Sequence, residues 1–376
     1  MEIEYPHPPM SERFFPCSSC GAKLTFTPGT DSLTCGHCGT VNAIPEATGE
    51  LKVAAVEELD YHSFLNNLAE QQETVDRVEV ICESCAAHTQ LPDHHTSGKC
   101  GFCGSPIVAQ GKSVKLIRPR GLLPFGIDRK KASATYETWL ASLWFAPSDL
   151  KKAAFLDQSL QGIYLPYWTY DADATTDYTG QRGVDYWVTE TYSVTVNGRS
   201  QTRTRQVRKT RWYPASGRVF DSFDDILVPA TKSLAENRLE SLEPWDLGSI
   251  APYDDAYLAG FTAESYSVSL DDGFGRATVR MQPTIDRSIC RDIGGDHQII
   301  SSKDSRYSDI TFKHLLLPVW ITAYRYNKRV FRIIINARTG EISGERPWSF
   351  WKIFFTVLAG LAVAGGIAAI VAMSQH

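Results

Sequence analysis

Cys17-x2-Cys20 is joined by an x14 segment to Cys35-x2-Cys38, and Cys82-x2-Cys85 is joined by a second x14 segment to Cys100-x2-Cys103. The second set repeats the first at a constant offset, Cys82 answering to Cys17 and Cys103 to Cys38. Its flanks repeat too: CSSCGA answers to CESCAA, and CGHCGT to CGFCGS. Such self-similarity reads as an internal duplication. Two residues between cysteines let one tight turn aim both sulfurs at one metal. Gly21, Gly36, Gly39, Gly101 and Gly104 give the backbone freedom around those turns. Two such turns complete a tetrahedron of four thiolates, which suits Zn2+ and leaves no open position, so the metal is structural. Iron would also accept four thiolates, but two separate knuckle pairs on matched loops read as zinc sites first. A cross-braced pairing of the first knuckle with the third is disfavoured, since equal spacing makes each repeat self-sufficient.

These segments therefore read as two zinc ribbons, residues 1–45 and 79–110, around a helical spacer, residues 46–78. Within the spacer Leu51 to Gln72 has the pattern of an acidic amphipathic helix. His37, His88, His94 and His95 lie near the cysteines as surface histidines, and Cys290 stands alone as a buried free thiol in a predicted helix. Ribbons of this kind often bind nucleic acid, but residues 1–110 hold 5 Lys/Arg against 15 Asp/Glu, a balance of −10. Eight thiolates and two Zn2+ make it more negative still. Phosphate binding draws its affinity from Lys and Arg displacing counterions, so the ribbons are expected to recognise protein instead.

Ile353 to Met373 contains no charge. As a helix it spans ~31 Å, close to the ~30 Å hydrocarbon core of a bilayer. Trp348, Phe350 and Trp351 precede it where an interfacial aromatic belt belongs, with Arg346 and Lys352 beside them. The expectation is a tail anchor over residues 348–376 in the inner (cytoplasmic) membrane, with the main body in the cytoplasm. The acidic, polar first residues show no secretory signal. Ala362/Gly366 and Gly365/Ala369 are small-xxx-small pairs that permit self-association through the anchor.

Residues 111–347 read as an antiparallel, β-rich α+β domain. Asp128 caps a helix to about Phe145, with Ala132, Tyr136, Trp139, Leu140, Leu143 and Trp144 on one stripe. A second helix runs from Ser269 to Ile293 with Leu270, Phe274, Ala277, Met281, Ile285, Ile289 and Ile293 on its stripe and a kink at Pro283. Each is followed by a similar strand, YLPYW (Tyr164–Trp168) and LLPVW (Leu316–Trp320), which suggests that this domain is also duplicated. Val330–Asn336 and Glu341-Ile342 form a hairpin. Asp185–Val196 and Arg199–Tyr213 form another around Asn197-Gly198, a type I′ signal. On its second arm Arg203, Arg205, Lys209 and Arg211 alternate onto one face, with Arg205 opposite Glu190 and Arg203 opposite Tyr192. A solvated ribbon is the plain reading. The functional one is contact with anionic phosphate, lipid head groups first and nucleic acid second.

No enzyme signature emerges. Gly111-Lys112-Ser113 has Pro106 where a phosphate-binding loop needs Gly, and Asp224-Asp225 alone is no metal site. The twin CxxC ribbons, Leu122–Phe125 (LLPF), Tyr164–Ala172 (YLPYWTYDA) and the C-terminal apolar helix together resemble a bacterial family of membrane-anchored TFIIB-type zinc-ribbon proteins. Members carry the label primosomal protein N′ (replication factor Y), a superfamily II helicase. The missing Walker loop argues against that activity here. The resemblance implies partnership with phage-shock-protein-A-like or SPFH-domain membrane proteins and a non-enzymatic adaptor role in membrane organisation or stress. The alternative is a membrane-tethered, replication-associated nucleic-acid binder.

Overall fold

The computed structural model describes residues 15–44, 57–66, 74–82, 87–90, 97–100, 102, 105–108, 112–147, 150, 160–196, 199–326 and 329–374. In chain order the strands are β1 Leu24–Phe26, β2 Ser32–Cys35, β3 Val41–Ala43, β4 Leu59–Asp60, β5 Thr74–Ile81, β6 His88–Gln90, β7 Ser97–Lys99, β8 Pro106–Val108, β9 Lys112–Ile117 and β10 Gly121–Leu122. They continue as β11 Gln161–Val196, β12 Arg199–Pro229, β13 Ala251–Pro252, β14 Thr262–Ala263, β15 His297–Tyr326, β16 Arg329–Asn336 and β17 Ile342–Gly344. The helices are α1 Tyr61–Asn66, α2 Arg129–Ser142, α3 Glu236–Glu240, α4 Leu270–Ile293 and α5 Phe350–Ser374. The result is a mixed α and β structure on a curled antiparallel sheet.

The two L-P-x-W segments are neighbours at the centre of that sheet. β11 and β15 pair antiparallel with Tyr164 opposite Pro318, Leu165 opposite Leu317 and Pro166 opposite Leu316. Around this centre two halves follow the same order: β10, α2, β11, β12 and then β14, α4, β15, β16. The short strand of each half runs parallel to the long strand of the other, β10 on β15 and β14 on β11. The bonds match across the centre. Leu123 N–H donates to Leu316 O (3.0 Å), as Glu264 N–H does to Tyr164 O (2.9 Å). Ala230 N–H reaches Pro166 O (2.9 Å), as Ala337 N–H reaches Pro318 O (3.0 Å). The two indoles close the pattern: Trp168 Nε1 donates to Val268 O (3.0 Å) and Trp320 Nε1 to Ile127 O (2.8 Å). Each acceptor immediately precedes a helix cap, so each tryptophan fixes where the other half's helix begins.

Asp128 is the expected cap, and Ser269, expected only as the start of the second helix, is the other. Asp128 accepts from Lys131 N–H (2.7 Å) and Ser269 from Asp272 N–H (3.1 Å), satisfying N–H groups that a first helical turn leaves without partners. Leu270, Ala277, Met281, Ile285, Ile289 and Ile293 of α4 are buried as their spacing predicts. The helix continues through Pro283; Val279, whose carbonyl it leaves without a helical donor, stands on the exposed side. At Gly273 a Cβ would meet Tyr170 Oη at 2.3 Å, so only glycine lets α4 lie this close to the sheet. In α2 the stripe fails at its end: Trp144 lies beyond the last helical residue and is exposed. Cys290 is a free thiol, half-buried rather than buried.

Side chains alternate across the sheet. Tyr164, Trp168, Leu316 and Trp320 face α2, α4 and the β1–β3 sheet. Ile163, Leu165, Tyr167, Leu317, Val319 and Ile321 face the other way, onto Val80, Cys82, Cys100, Leu234 and Trp245. The cysteine segments thus contribute to the main cores instead of hanging from them. The stretch expected as a helical spacer differs in its described part. Only Tyr61–Asn66 is helical, Leu59–Asp60 pairs with Thr311 and Phe312, and β5 starts at Thr74, where it pairs with Ile117 of β9; β6 joins its other side from Glu79.

Candidate metal centre and basic arm

The first cysteine set converges. The Sγ atoms of Cys17, Cys20, Cys35 and Cys38 all lie within 4.8 Å of one another. Cys17 and Cys38 stand 3.6 Å apart, Cys20 and Cys35 3.5 Å. A tetrahedron with Zn–S bonds of ~2.3 Å has edges of ~3.8 Å, so the cluster is of the size that holds one such ion. The local sequence explains the convergence. Pro16 pairs with Lys23 across the first CxxC, and Thr34 with Val41 across the second. Cys17 N–H donates to Ala22 O (2.8 Å) and Cys35 N–H to Thr40 O (2.9 Å), closing each turn. Gly21 (φ +72°) and Gly39 (φ +75°) take the left-handed conformation that follows the second cysteine of each pair. Ser19 N–H and Cys38 N–H donate to the sulfurs of Cys17 and Cys35.

Crowding couples the titration of Cys17, Cys20 and Cys38. Thr40, through its hydroxyl and its N–H, draws Cys38 down to about 6. Cys20, although the Ala22 N–H lowers it, is driven up to about 12 by Cys38 and Cys35. Metal binding requires deprotonated cysteines, and a bound dication offsets the charge that gathers where the four sulfurs meet. The donor set fits a structural Zn2+.

In the second set Cys82 and Cys100 are buried, while Cys85 and Cys103 lie outside the described residues. The backbone around them follows the same scheme. Ile81 pairs with His88 and Lys99 with Pro106. Cys82 N–H donates to Ala87 O (2.9 Å) and Cys100 N–H to Ser105 O (2.8 Å).

The basic stripe occupies an arm. β15 accompanies β11 only as far as Gly183, opposite His297. Beyond it Val184–Val196 and Arg199–Arg211 continue as a two-stranded ribbon, ~43 Å long at ~3.3 Å per residue. Arg205 is opposite Glu190 and Arg203 opposite Tyr192, as the turn position predicts; Asn197 and Gly198 lie outside the described residues. Glu190 is bridged by Lys209 (2.9 Å) and Arg205 (3.2 Å), which hold its carboxyl below the usual range, Lys209 most. Arg205 lies 5.5 Å from the Tyr192 ring centre and Arg211 4.9 Å from that of Tyr186. The arm leaves the sheet at the His297 end of β15, whereas Tyr324 Oη, near the other end, binds Glu345 O at the approach to α5.

One constellation had no sequence signal. Carboxylates of Glu58, Asp171 and Asp224, from three distant segments, lie within 4.8 Å of one another. A bulge between Tyr170 and Ala172 and a positive φ at Asp225 (+51°) turn them together. Buried Lys313 bridges Glu58 and Asp225, each at 3.0 Å, so the arrangement is an ion-pair network joining β4 to the sheet. Desolvation and then the Glu58 carboxylate push Asp171 up to about 7. Glu58, against its own desolvation, is held down to about 2 by Asp171, Thr311 and Lys313. Only Asp224-Asp225 stands out in the sequence, and a doublet carries no information about which chain segments will meet it.

α5 is the one helix among the described residues long and apolar enough to cross a membrane. No family model matches the chain, and no solved structure matches it. The uncharacterized protein YdjG of Bacillus subtilis (strain 168) is 24% identical over 356 residues, covering 92% of this chain and 94% of that one.

Proposed function

We propose that this is a non-enzymatic, membrane-anchored zinc-ribbon protein that acts as an adaptor. The observation that carries the reading is the four-thiolate cluster of Cys17, Cys20, Cys35 and Cys38 on the same chain as a helix able to cross a membrane. The second zinc site, at Cys82, Cys85, Cys100 and Cys103, is supported by the matching turn closures at Cys82 and Cys100. Duplication of the large domain is supported by the matched strand exchange and indole bonds. Arg346 and Lys352 before the apolar segment favour a cytoplasmic body. The partner class implied by the resemblance, a phage-shock-protein-A-like or SPFH-domain protein, suits an acidic surface near the bilayer. The basic arm, rooted at the far end of β15 from the anchor, serves an anionic surface separate from the ribbons. A pull-down from detergent-solubilised native membranes tests the adaptor reading. A membrane-protein partner should co-purify with the parent chain and be lost with Cys100→Ser, while the variant stays membrane-bound. Nucleic acid as the main co-purifying species would favour the replication-associated alternative.

A further inference from the structure

Trp144 is 75% exposed, although helical spacing places it on the apolar stripe of α2. The cause is the end of the helix. Leu143 caps α2 with ψ +74°, which turns the chain out of the helical path, and Trp144 points away from the core. That turn is tied to the root of α5. Ser349 N–H donates to Phe145 O (2.8 Å), and Lys352 Nζ donates to Trp144 O (3.1 Å) and Ala146 O (2.8 Å). The Phe145 and Trp348 rings are 6.4 Å apart, and Arg346 lies 4.3 Å from the Trp348 ring centre. The exposed Trp144 is thereby tied, through its carbonyl, to Lys352 in the first turn of the apolar helix, around whose start Trp348, Phe350 and Trp351 are exposed as well.

We infer that the Leu143–Ala146 turn is a second membrane contact: Trp144 sits among the lipid head groups of the bilayer that α5 enters. The inference rests on the proposed reading of α5 as a membrane span. The occupant is lipid because of position and chemistry. The turn is continuous with the apolar helix, and an indole suits the boundary between head groups and hydrocarbon. Lys352 gives two of its donors to the turn's carbonyls, so its charge is partly satisfied at that boundary instead of pulling the helix outward. The contact turns a swivel into a fixed joint. With the α2 end held to the bilayer, the Tyr324 end of β15 is proximal and the arm beyond His297 is distal. The stripe Arg203, Arg205, Lys209 and Arg211 then faces away from the membrane that holds the chain.

The test is photocrosslinking in native membranes with p-benzoylphenylalanine placed in the full chain at Trp144, Trp348 or Trp212. Lipid adducts are expected at 144 and 348 and absent at 212. Adducts at 348 without any at 144 would overturn the inference and leave the membrane reading intact; adducts at neither would overturn both. Adducts at 212 would overturn the orientation. A second variant guards against a misplaced probe. In vesicles containing brominated lipid, Trp144, Trp348 and Trp351 are the quenchable tryptophans, so Trp144→Ser should lower the quenchable fluorescence by about a third. Unchanged quenching would contradict the contact.

Discussion

At the residue scale, three buried side chains make sharp predictions. Trp168 and Trp320 each give an indole N–H to a carbonyl just before a helix cap in the opposite half. Replacing either by Phe keeps most of the packing and leaves a buried carbonyl without its donor, at a cost of about 1–3 kcal/mol. Trp168→Phe and Trp320→Phe should therefore destabilise by similar amounts in urea titrations of a fragment lacking α5. A large inequality would mean that the matched bonds do not carry matched loads. His314 is fully enclosed, donates from Nδ1 to Ile117 O (2.9 Å) and packs against Trp168. Burial lowers it to about 4, so it is neutral when folded and takes up a proton on unfolding. A depressed histidine stabilises the fold fully above its ordinary value near 6.5, and that contribution fades as pH falls from there toward 4. His314→Gln should flatten the stability profile over that window; an unchanged slope would assign the acid sensitivity elsewhere.

At the element scale, β4 is joined to the sheet by two residues of ladder and by the Glu58–Asp171–Lys313 network. Asp171 has a raised value, so between about 4 and 7 the folded state holds a proton that the unfolded state does not. Stability from this group therefore falls as pH rises, and the loss is complete above about 7. Amide exchange at Leu59 and Asp60 should quicken from pH 6 to pH 8 beyond the intrinsic increase. Asp171→Asn should abolish the extra increase; its persistence would remove the network from the docking of β4. The elements that the sequence announced share a trait. The cap at Asp128, the α4 stripe, the pairing of Glu190 with Arg205 and the CxxC turns of the first set are all fixed by near neighbours in the chain. What stayed hidden was set by distant contacts: the exchange of β10 and β14, the strand at Leu59–Asp60, the acidic network, and the turn that takes Trp144 out of the α2 stripe. Length matters too, because β11 and β12 run far beyond the hairpin that their turn residues identify.

At the scale of the whole molecule, the four-thiolate cluster is packed into the fold. Cys17 and Cys35 belong to the same core as Phe125, Tyr164 and Trp320, and Phe26 N–H donates to Ala259 O (2.9 Å). Loss of the first metal should then loosen more than the ribbon. Cys17→Ser is expected to lower the unfolding temperature of the folded body and to quicken exchange around Ala259. The cluster itself was legible because four cysteines at CxxC spacing admit few geometries, whereas the basic stripe was legible as a pattern but not as an arm at the far end of the sheet from α5. A membrane-anchored chain with two structural zinc sites has a definite mass and a definite place in the cell. Native mass spectrometry of the full chain, purified from the membrane fraction in detergent under reducing conditions, reads both. The expected mass is the chain plus two zinc ions, falling to one with Cys17→Ser and to one with Cys100→Ser. A metal-free chain, or one recovered only from the soluble fraction, would refute the proposed function.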